Sequence, residues 1–139
     1  MTPRRKKILL VDCHEDVLIS LEKLFEDAEF ETATAWTARE AMDLVRATAF
    51  DLALVNEYLP DAECEEVLEA IQNRGQHTIC IVMQPSAPEF MDFVRFGAWG
   101  ARDIVCKRRF RQIVELVSQC LVGEGNQIRP PECELTIAR

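Results

Sequence analysis

The feature that most constrains the fold is a fivefold alternation between short strand-like segments and amphipathic helical segments. The strand-like segments lie at residues 8–11, 30–35, 52–55, 79–83 and 104–106. Between and after them, apolar residues recur with the spacing of one face of a helix. Short connections between alternating strands and helices imply a parallel sheet with helices on both faces. The sequence therefore predicts a single α/β domain.

Three predicted helices begin with polar residues that are typical of N-terminal caps. Residues 37–40 (Thr-Ala-Arg-Glu) have the pattern of a capping box and open the predicted second helix. Asp61 is expected to cap the third helix, because its carboxylate can accept hydrogen bonds from free backbone N–H groups. Residues 86–89 (Ser-Ala-Pro-Glu) have a second capping-box pattern and are expected to open the fourth helix.

Composition and charge narrow the class of protein. The 139 residues are 48% hydrophobic and 29% charged, which is typical of one globular domain. The net charge of −8 disfavours nucleic-acid binding by this domain. The apolar runs are too short for a membrane span, so we expect a cytoplasmic protein with no membrane partner. Residues 1–122 are predicted to form the domain, and the glycines and prolines of residues 123–139 mark a tail or linker.

The cysteines and histidines do not suggest a metal site or a cofactor. The two histidines, His14 and His77, lie at predicted element boundaries and are expected in solvent. The cysteines lack the paired spacing that is typical of zinc sites, and we predict that they are reduced. They are Cys13, Cys64, Cys80, Cys106, Cys120 and Cys133.

Polar residues follow four of the predicted strands, at the edge of the sheet where ligands bind in doubly wound α/β folds. They are Asp12 and Cys13 after the first strand, Asn56 after the third, Pro85 and Ser86 after the fourth, and Lys107 after the fifth. Asn56 is the most informative of these residues. An aspartate there could accept a phosphoryl group, whereas the asparagine amide has no anionic oxygen to act as a nucleophile.

At these residues the chain resembles the receiver domain of two-component response regulators, over residues 6–122. The resemblance implies a flavodoxin-like fold of receiver type, in which a five-stranded parallel sheet in the order 2-1-3-4-5 is flanked by five helices. It also implies a role in signal transduction. The segments that carry it are residues 8–12 (Ile-Leu-Leu-Val-Asp), 50–52 (Phe-Asp-Leu), 59–61 (Leu-Pro-Asp), 96–98 (Phe-Gly-Ala), 100–101 (Gly-Ala) and Lys107.

The phosphorylation chemistry that the resemblance implies depends on groups that this chain mostly lacks. In the family, two acidic residues after the first strand and an aspartate after the third bind Mg²⁺, and that aspartate accepts the phosphoryl group. A Thr or Ser after the fourth strand and a Lys after the fifth hold the phosphoryl oxygens. An aromatic residue in the fifth strand often reports the switch. The departures here are Cys13 for the second acid, Asn56 for the phosphoacceptor, Pro85 (beside Ser86) for the Thr or Ser, and Ile104 for the aromatic residue.

Only Asp12 and Lys107 match the polar groups of the family site. Mg²⁺ needs hard oxygen ligands, and a thiol and a neutral amide are poor replacements for two carboxylates. We therefore predict no Mg²⁺ binding. We expect instead an ion pair between Asp12 and Lys107, or a hydrogen bond from Lys107 to Asn56, because an unpaired buried charge is costly.

These departures predict a degenerate pseudo-receiver that is not an enzyme and acts through protein–protein contacts, independently of aspartyl phosphorylation. One alternative is a ligand- or redox-sensing receiver-like domain, in which Lys107 holds a small anion or Cys13 reacts as a thiolate beside a cation. Another is the regulatory domain of a longer regulator, with residues 123–139 leading to an output domain.

Basic residues concentrate near the predicted fourth helix, fifth strand and fifth helix, whereas acidic residues crowd the first and third helices. In receiver-like folds, the former elements form the usual partner or dimer face. Trp and Arg are common interface anchors, and the charge asymmetry favours an acidic partner protein or a homodimer. The interface candidates are Arg95, Trp99, Arg102, Ile104, Arg108 and Arg111.

Overall fold

The computed structural model describes residues 4–74 and 77–122, and it confirms the predicted α/β fold. All neighbouring strands are parallel, and their order is β2-β1-β3-β4-β5, as predicted. The strands are β1 (Lys7–Val11), β2 (Glu31–Ala35), β3 (Leu52–Asn56), β4 (Ile79–Gln84) and β5 (Ala101–Cys106). The helices are α1 (Glu15–Asp27), α2 (Ala38–Ala47), α3 (Cys64–Asn73), α4 (Phe90–Gly97) and α5 (Phe110–Val122).

Two apolar cores, one on each face of the sheet, explain why β1 is an almost unbroken apolar run. Successive side chains along a strand point to opposite faces. Leu9 and Val11 enter the core that is covered mainly by α2 and α3, whereas Ile8 and Leu10 enter the core covered by α1 and α5. A strand that is apolar on both faces must lie inside the sheet, and β1 lies between β2 and β3.

The predicted end of the domain lies outside the part of the chain that the structure describes. Residues 123–139 were predicted as a tail or linker, and that boundary stays a prediction. None of the five described helices has both the length and the apolar character that a bilayer-spanning helix needs.

The N-terminus of α2 is capped by Thr37, in agreement with half of the predicted capping box. Thr37 Oγ1 accepts a hydrogen bond from Glu40 N at 3.1 Å. A complete box would return a hydrogen bond from Thr37 N to the Glu40 side chain. The Glu40 carboxylate instead accepts a hydrogen bond from Trp36 N at 2.7 Å, and Trp36 lies one residue before the N-cap Thr37.

Asp61 caps α2 rather than α3, so its predicted role was wrong. Its carboxylate accepts hydrogen bonds from Ala38 N at 2.8 Å and from Arg39 N at 3.0 Å. The hydrogen bond from Ala38 N holds the pKa of Asp61 below its ordinary value of 3.8, because it favours the charged form. With Asp61 engaged by α2, α3 begins later in the chain, at Cys64, with Glu63 as its N-cap residue.

The predicted start of the fourth helix was also wrong. α4 begins at Phe90 rather than beside Ser86, and its N-cap residue is Glu89. The Asp92 carboxylate accepts a hydrogen bond from Glu89 N at 2.8 Å. A carboxylate is a stronger acceptor than a hydroxyl, so Asp92 defines the start of the helix and Ser86 stays in the exposed loop.

α1 ends in a Schellman motif whose left-handed position is occupied by a glutamate. Phe30 N donates to Phe25 O at 3.0 Å and Glu29 N donates to Glu26 O at 2.9 Å, which are the two hydrogen bonds of this motif. The rings of Phe25 and Phe30 pack edge to face, with centroids 6.0 Å apart. Glu29 has a φ of 70°, a conformation that a Cβ atom disfavours and that glycine adopts readily.

We expect Glu29→Gly to stabilise the fold, because it removes a Cβ at positive φ and keeps both backbone hydrogen bonds. The expected gain in the free energy of unfolding is about 0.5–1 kcal/mol, measured by urea denaturation. Glu22→Gly in the interior of α1 is the matched control, and it should lose about 1 kcal/mol. A Glu29→Gly protein no more stable than the parent would contradict the interpretation.

Candidate functional site

A buried ion pair between Asp12 and Lys107 forms the centre of the candidate site. Lys107 Nζ lies 2.8 Å from Asp12 Oδ2 and donates a hydrogen bond to Asn56 Oδ1 at 3.2 Å. Asp12 is fully buried, and Asn56 and Lys107 are 2% and 9% exposed. The ion pair and the hydrogen bond, which the sequence predicted as alternatives, are therefore both present.

The topology of the sheet brings these three residues together. The parallel register of β1 with β3 places Asp12 and Asn56 side by side at the carboxyl edge of the sheet. Lys107 follows β5, which is separated from β3 by β4. At ordinary strand spacing this separation is about 10 Å. Lys107 N donates to Gln84 O at 2.7 Å, and the long lysine side chain reaches back across the end of β4.

Both polar atoms of the Asn56 side chain are engaged by contacts within the chain. Its Oδ1 accepts from Lys107, and its Nδ2 donates to the carbonyl oxygen of Tyr58 at 2.7 Å. An aspartate at this position would place a carboxylate oxygen against the carbonyl oxygen of Tyr58, and neither atom can donate a hydrogen bond. It would also add a second negative charge beside Asp12, which like-charge repulsion disfavours. An asparagine therefore matches these surroundings better than an aspartate would.

Three other predicted site residues lie at the margin of this cluster. Cys13 is partly exposed, and Pro85 and Ser86 are exposed. The carbonyl oxygen of Pro85 accepts from the Cys106 thiol, with a separation of 3.7 Å. Among the described residues, no hydrogen bond joins the Ser86 hydroxyl to Lys107, so the structure does not bring Ser86 into the cluster.

His14 is exposed, as the sequence predicted, yet it also joins the cluster through a contact that the sequence did not predict. Its Nδ1 lies 2.9 Å from Asp12 Oδ1 and 3.3 Å from Lys107 Nζ, and its backbone N–H donates to Asp12 Oδ1 at 3.0 Å. His14 is the N-cap residue of α1, yet its side chain makes no capping hydrogen bond. The ring turns back towards Asp12 while 58% of the side chain stays exposed. Its position two residues after a buried aspartate was the signal that could have revealed it.

The Mg²⁺ site that the resemblance implies does not fit these side chains. Lys107 lies against one oxygen of Asp12, and His14 engages the other. The oxygen of Asn56 accepts from the same lysine. Cys13 offers a soft sulfur, which is a poor ligand for a hard cation. The cluster therefore offers a single carboxylate, with Lys107 already against one of its oxygens, in place of the several hard oxygens that Mg²⁺ needs.

Arg95, which was predicted for the interface, is held within the domain by three carboxylates. It lies 2.7 Å from Glu65, 3.2 Å from Glu57 and 3.9 Å from Glu63. Burial acts to raise the pKa of Glu65, but the hydrogen bond and positive charge of Arg95, together with hydrogen bonds from the Glu65 backbone and Cys64, outweigh it and the net shift is downward. The guanidinium also lies 4.3 Å from the ring centroid of Phe96. Arg95 therefore ties α4 to α3 and to the loop after β3.

One predicted interface residue is buried and the others, apart from Arg95, are free to form a surface. Ile104 is 4% exposed and packs in an apolar core, so its predicted place at the interface was wrong. Alternation along β5 turns Ile104 to the face of the sheet covered by α2, α3 and α4, whereas Val105 packs on the other face. The remaining candidates are exposed: Trp99, Arg102, Arg108 and Arg111.

α4 presents an apolar face to solvent that the sequence pattern did not reveal. Phe90, Met91 and Val94 are 77%, 66% and 49% exposed, whereas Phe96 is the buried residue of this helix. Helical periodicity shows that apolar residues share a face, but it does not show whether that face meets the sheet or the solvent. We use the term α4–β5–α5 surface for Phe90, Met91, Val94, Trp99, Arg102, Arg108 and Arg111.

Known proteins with similar sequences or structures share this fold. A family model of the response regulator receiver domain matches residues 8–118. A CheY-like receiver domain protein from Methanospirillum hungatei JF-1 is 27% identical, with a TM-score of 0.77 over 84% of this chain and 93% of that chain. A two-component response regulator from Clostridium difficile and the chemotaxis protein CheY4 from Vibrio cholerae are 19% and 20% identical. Their TM-scores are 0.78 and 0.79, over 88% and 85% of this chain and 100% of each of those chains. No curated protein sequence matches the chain significantly.

We expect Asn56→Asp to destabilise the protein at neutral pH, in the absence of divalent cations. The change removes the donor to Tyr58 O and places a second carboxylate beside Asp12. Loss of a buried hydrogen-bond donor predicts a cost of about 1–3 kcal/mol in the free energy of unfolding. Asn73→Asp, at the exposed end of α3, is the matched control and should change little. An Asn56→Asp protein as stable as the parent would show that the asparagine is not structurally required.

Proposed function

The chain belongs to the response regulator receiver family, and we propose that it is a pseudo-receiver, which transmits a signal through protein–protein contacts without aspartyl phosphorylation. The observation that carries the proposal is the contact of the Lys107 ammonium with both Asp12 and Asn56. A lysine that would hold phosphoryl oxygens is already paired within the chain. Asn56 offers no anionic oxygen that could attack a phosphoryl group.

The proposal includes no enzymatic activity. Receiver domains are generally non-catalytic signalling modules. In this chain, Asp12 and Lys107 are paired with each other at 2.8 Å, and Asn56 offers no nucleophilic oxygen. We place the module in the cytoplasm, a reducing compartment that suits the five free cysteines among the described residues.

The α4–β5–α5 surface is the proposed contact site. It combines exposed apolar side chains with three exposed arginines, and aromatic residues and arginine are the usual anchors of protein interfaces. The whole chain carries a net charge of −8, so a basic surface on it favours a partner of complementary charge. We therefore propose an acidic protein partner.

The position of α4 supports the proposal that this surface is exposed without an activating signal. The contacts of Arg95 with Glu57 and Glu65 hold α4 against its neighbours in the unphosphorylated chain. A partner can therefore meet the apolar face of α4 in the conformation described here. Phosphorylation is not required to expose it.

The alternatives that the sequence left open have weaker support from the contacts. To hold a small anion, Lys107 would have to leave Asp12 or Asn56, and a buried Asp12 without its cation would be costly. Redox sensing would rest on Cys13, whose thiol lies 3.8 Å from His14 Nδ1. The remaining alternative, the regulatory domain of a longer regulator, would place the same domain in a longer chain without changing the chemistry of its site.

We expect the protein to remain unmodified when it is incubated with acetyl phosphate and Mg²⁺, because Asn56 cannot act as the nucleophile. Intact-mass spectrometry measures the outcome, with an aspartate-containing receiver domain as the positive control. Asn56→Asp should still show no phosphorylation-dependent change in oligomeric state, since Pro85 offers no hydroxyl and Ile104 is not aromatic. An added phosphoryl mass on the parent protein, mapped to Asp12 or Glu57, would refute the proposal.

We expect the double variant Arg102→Glu/Arg111→Glu to lose the partner that the parent protein captures. The reversal puts like charge against an acidic surface, and the same complex should weaken as salt screens the attraction. Affinity capture from the native cells, quantified by mass spectrometry, gives the comparison. Sedimentation velocity on the purified proteins shows whether the partner is a second copy of the chain.

Lys6→Glu/Arg39→Glu is the matched control for this experiment, because it makes the same change in charge at exposed residues outside the surface. Both double variants should retain the parent's melting temperature within a few degrees, since exposed charges contribute roughly 0–1 kcal/mol to folding. Equal capture by the parent and both variants at all salt concentrations would show that the contact site lies elsewhere.

A further inference from the structure

We propose that Asp12, Cys13 and His14 form a binding site for a zinc ion. Sequence analysis predicted no metal site, but the fold brings three different donors together at the end of β1. A carboxylate oxygen, the thiol sulfur and an imidazole nitrogen lie within 4.8 Å of one another. Oxygen, sulfur and nitrogen are the three donor types that zinc accepts in proteins. The proposal does not rest on the protein contacts proposed above.

The separations between these donors are close to those of a tetrahedral zinc site. Bonds of about 2.0–2.3 Å place a nitrogen and an oxygen about 3.3 Å apart, and a nitrogen and a sulfur about 3.6 Å apart. His14 Nδ1 lies 2.9 Å from Asp12 Oδ1 and 3.8 Å from Cys13 Sγ. Small side-chain rotations are enough to close the difference, and two of the three side chains have room to rotate because they are exposed or partly exposed.

The contacts of His14 bring together two atoms, Nδ1 and Asp12 Oδ1, that a metal ion would bridge. Nδ1 faces an acceptor, Asp12 Oδ1, and a cationic donor, Lys107 Nζ, at 2.9 and 3.3 Å. A single ring nitrogen either donates a proton or offers a lone pair, so it can serve one of these neighbours and not both. A metal ion between Nδ1 and Oδ1 would use the lone pairs of both atoms. Since the side chain does not cap α1, its ring is free to take this role.

The surroundings of Asp12 supply the outer support that metal ligands usually have. Lys107 holds Oδ2 at 2.8 Å and the backbone N–H of His14 donates to Oδ1 at 3.0 Å, so the carboxylate is fixed in orientation. Ion pairs and hydrogen bonds to a ligand's other atoms orient it and tune metal affinity. The exposed side of His14 leaves a fourth position open to water or to an external donor, as in zinc sites with three protein ligands.

The donor set should discriminate against Mg²⁺. Thiolate and imidazole ligands favour zinc and the later divalent transition metals, whereas Mg²⁺ prefers oxygen ligands alone. The replacements that dismantle the hard-cation chemistry at this edge of the sheet thus create a softer site beside it. The buried thiols of Cys64 and Cys80 are poorer competitors for zinc, because burial raises the pKa of each to about 12.

Isothermal titration calorimetry of the full chain with zinc chloride tests the proposal. We expect one zinc ion per chain, bound with little change in affinity in a large excess of Mg²⁺. Cys13→Ser and His14→Gln should each weaken binding at least about tenfold. Cys106→Ser and His77→Gln change the same residue types outside the cluster and should bind as the parent does. These replacements spare Asp12, whose removal would leave Lys107 unpaired and threaten folding.

The absorption spectrum of bound cobalt(II) is a second measurement, and a purely structural effect of the substitutions would not change it selectively. The parent should show a near-ultraviolet charge-transfer band from thiolate to cobalt, and Cys13→Ser should lack it while His14→Gln alters the d–d bands. The proposal is overturned if the parent binds no zinc. It is equally overturned if Cys13→Ser keeps the parent's affinity and charge-transfer band, or if a control variant loses both.

Discussion

The ammonium group of Lys107 neutralises the buried Asp12 carboxylate where the strands of the sheet end, and the rest of the site is arranged around that contact. A buried charge without a partner is far more costly than a buried pair. The pair therefore restricts which residues can stand next to it. Asn56 supplies an oxygen to the lysine and a donor to a backbone carbonyl, without adding charge. His14 and the end of β4 complete the surroundings of the same two ions.

The architecture could be predicted from the sequence because its determinants are local and repeated. Apolar runs such as residues 52–55 are buried on both faces, and this identifies interior strands of a parallel sheet. The pairing of Asp12 with Lys107 could also be predicted, since both residues follow strands whose carboxyl ends share one edge. In these cases the general rules for parallel sheets leave few alternative structures.

The predictions that failed depend on partners that are distant in the sequence or on which way a face turns. Asp61 caps the helix that begins at Ala38, and nothing near Asp61 in the sequence specifies that partner. Ser86 has the correct pattern for a cap, but Asp92 provides a stronger acceptor later in the chain. Ile104 and Phe90 are both apolar, yet one is buried and the other exposed. Those outcomes depend on how α4 and β5 sit against the sheet, which periodicity does not determine.

The manner in which α4 is attached has a consequence for how the domain opens. Of its eight residues, Phe96 is the buried one and Phe93 is partly buried against the same core, and the contacts of Arg95 tie the helix to carboxylates of α3 and of the loop after β3. β1, β3 and β4 carry much of the two cores, so they belong to the part of the molecule that opens only on global unfolding. α4 shares few of those apolar contacts, and its backbone amides should exchange with solvent through local fluctuations. We therefore expect the element that displays the apolar face to open more readily than the sheet, and a partner that binds it should raise its local stability.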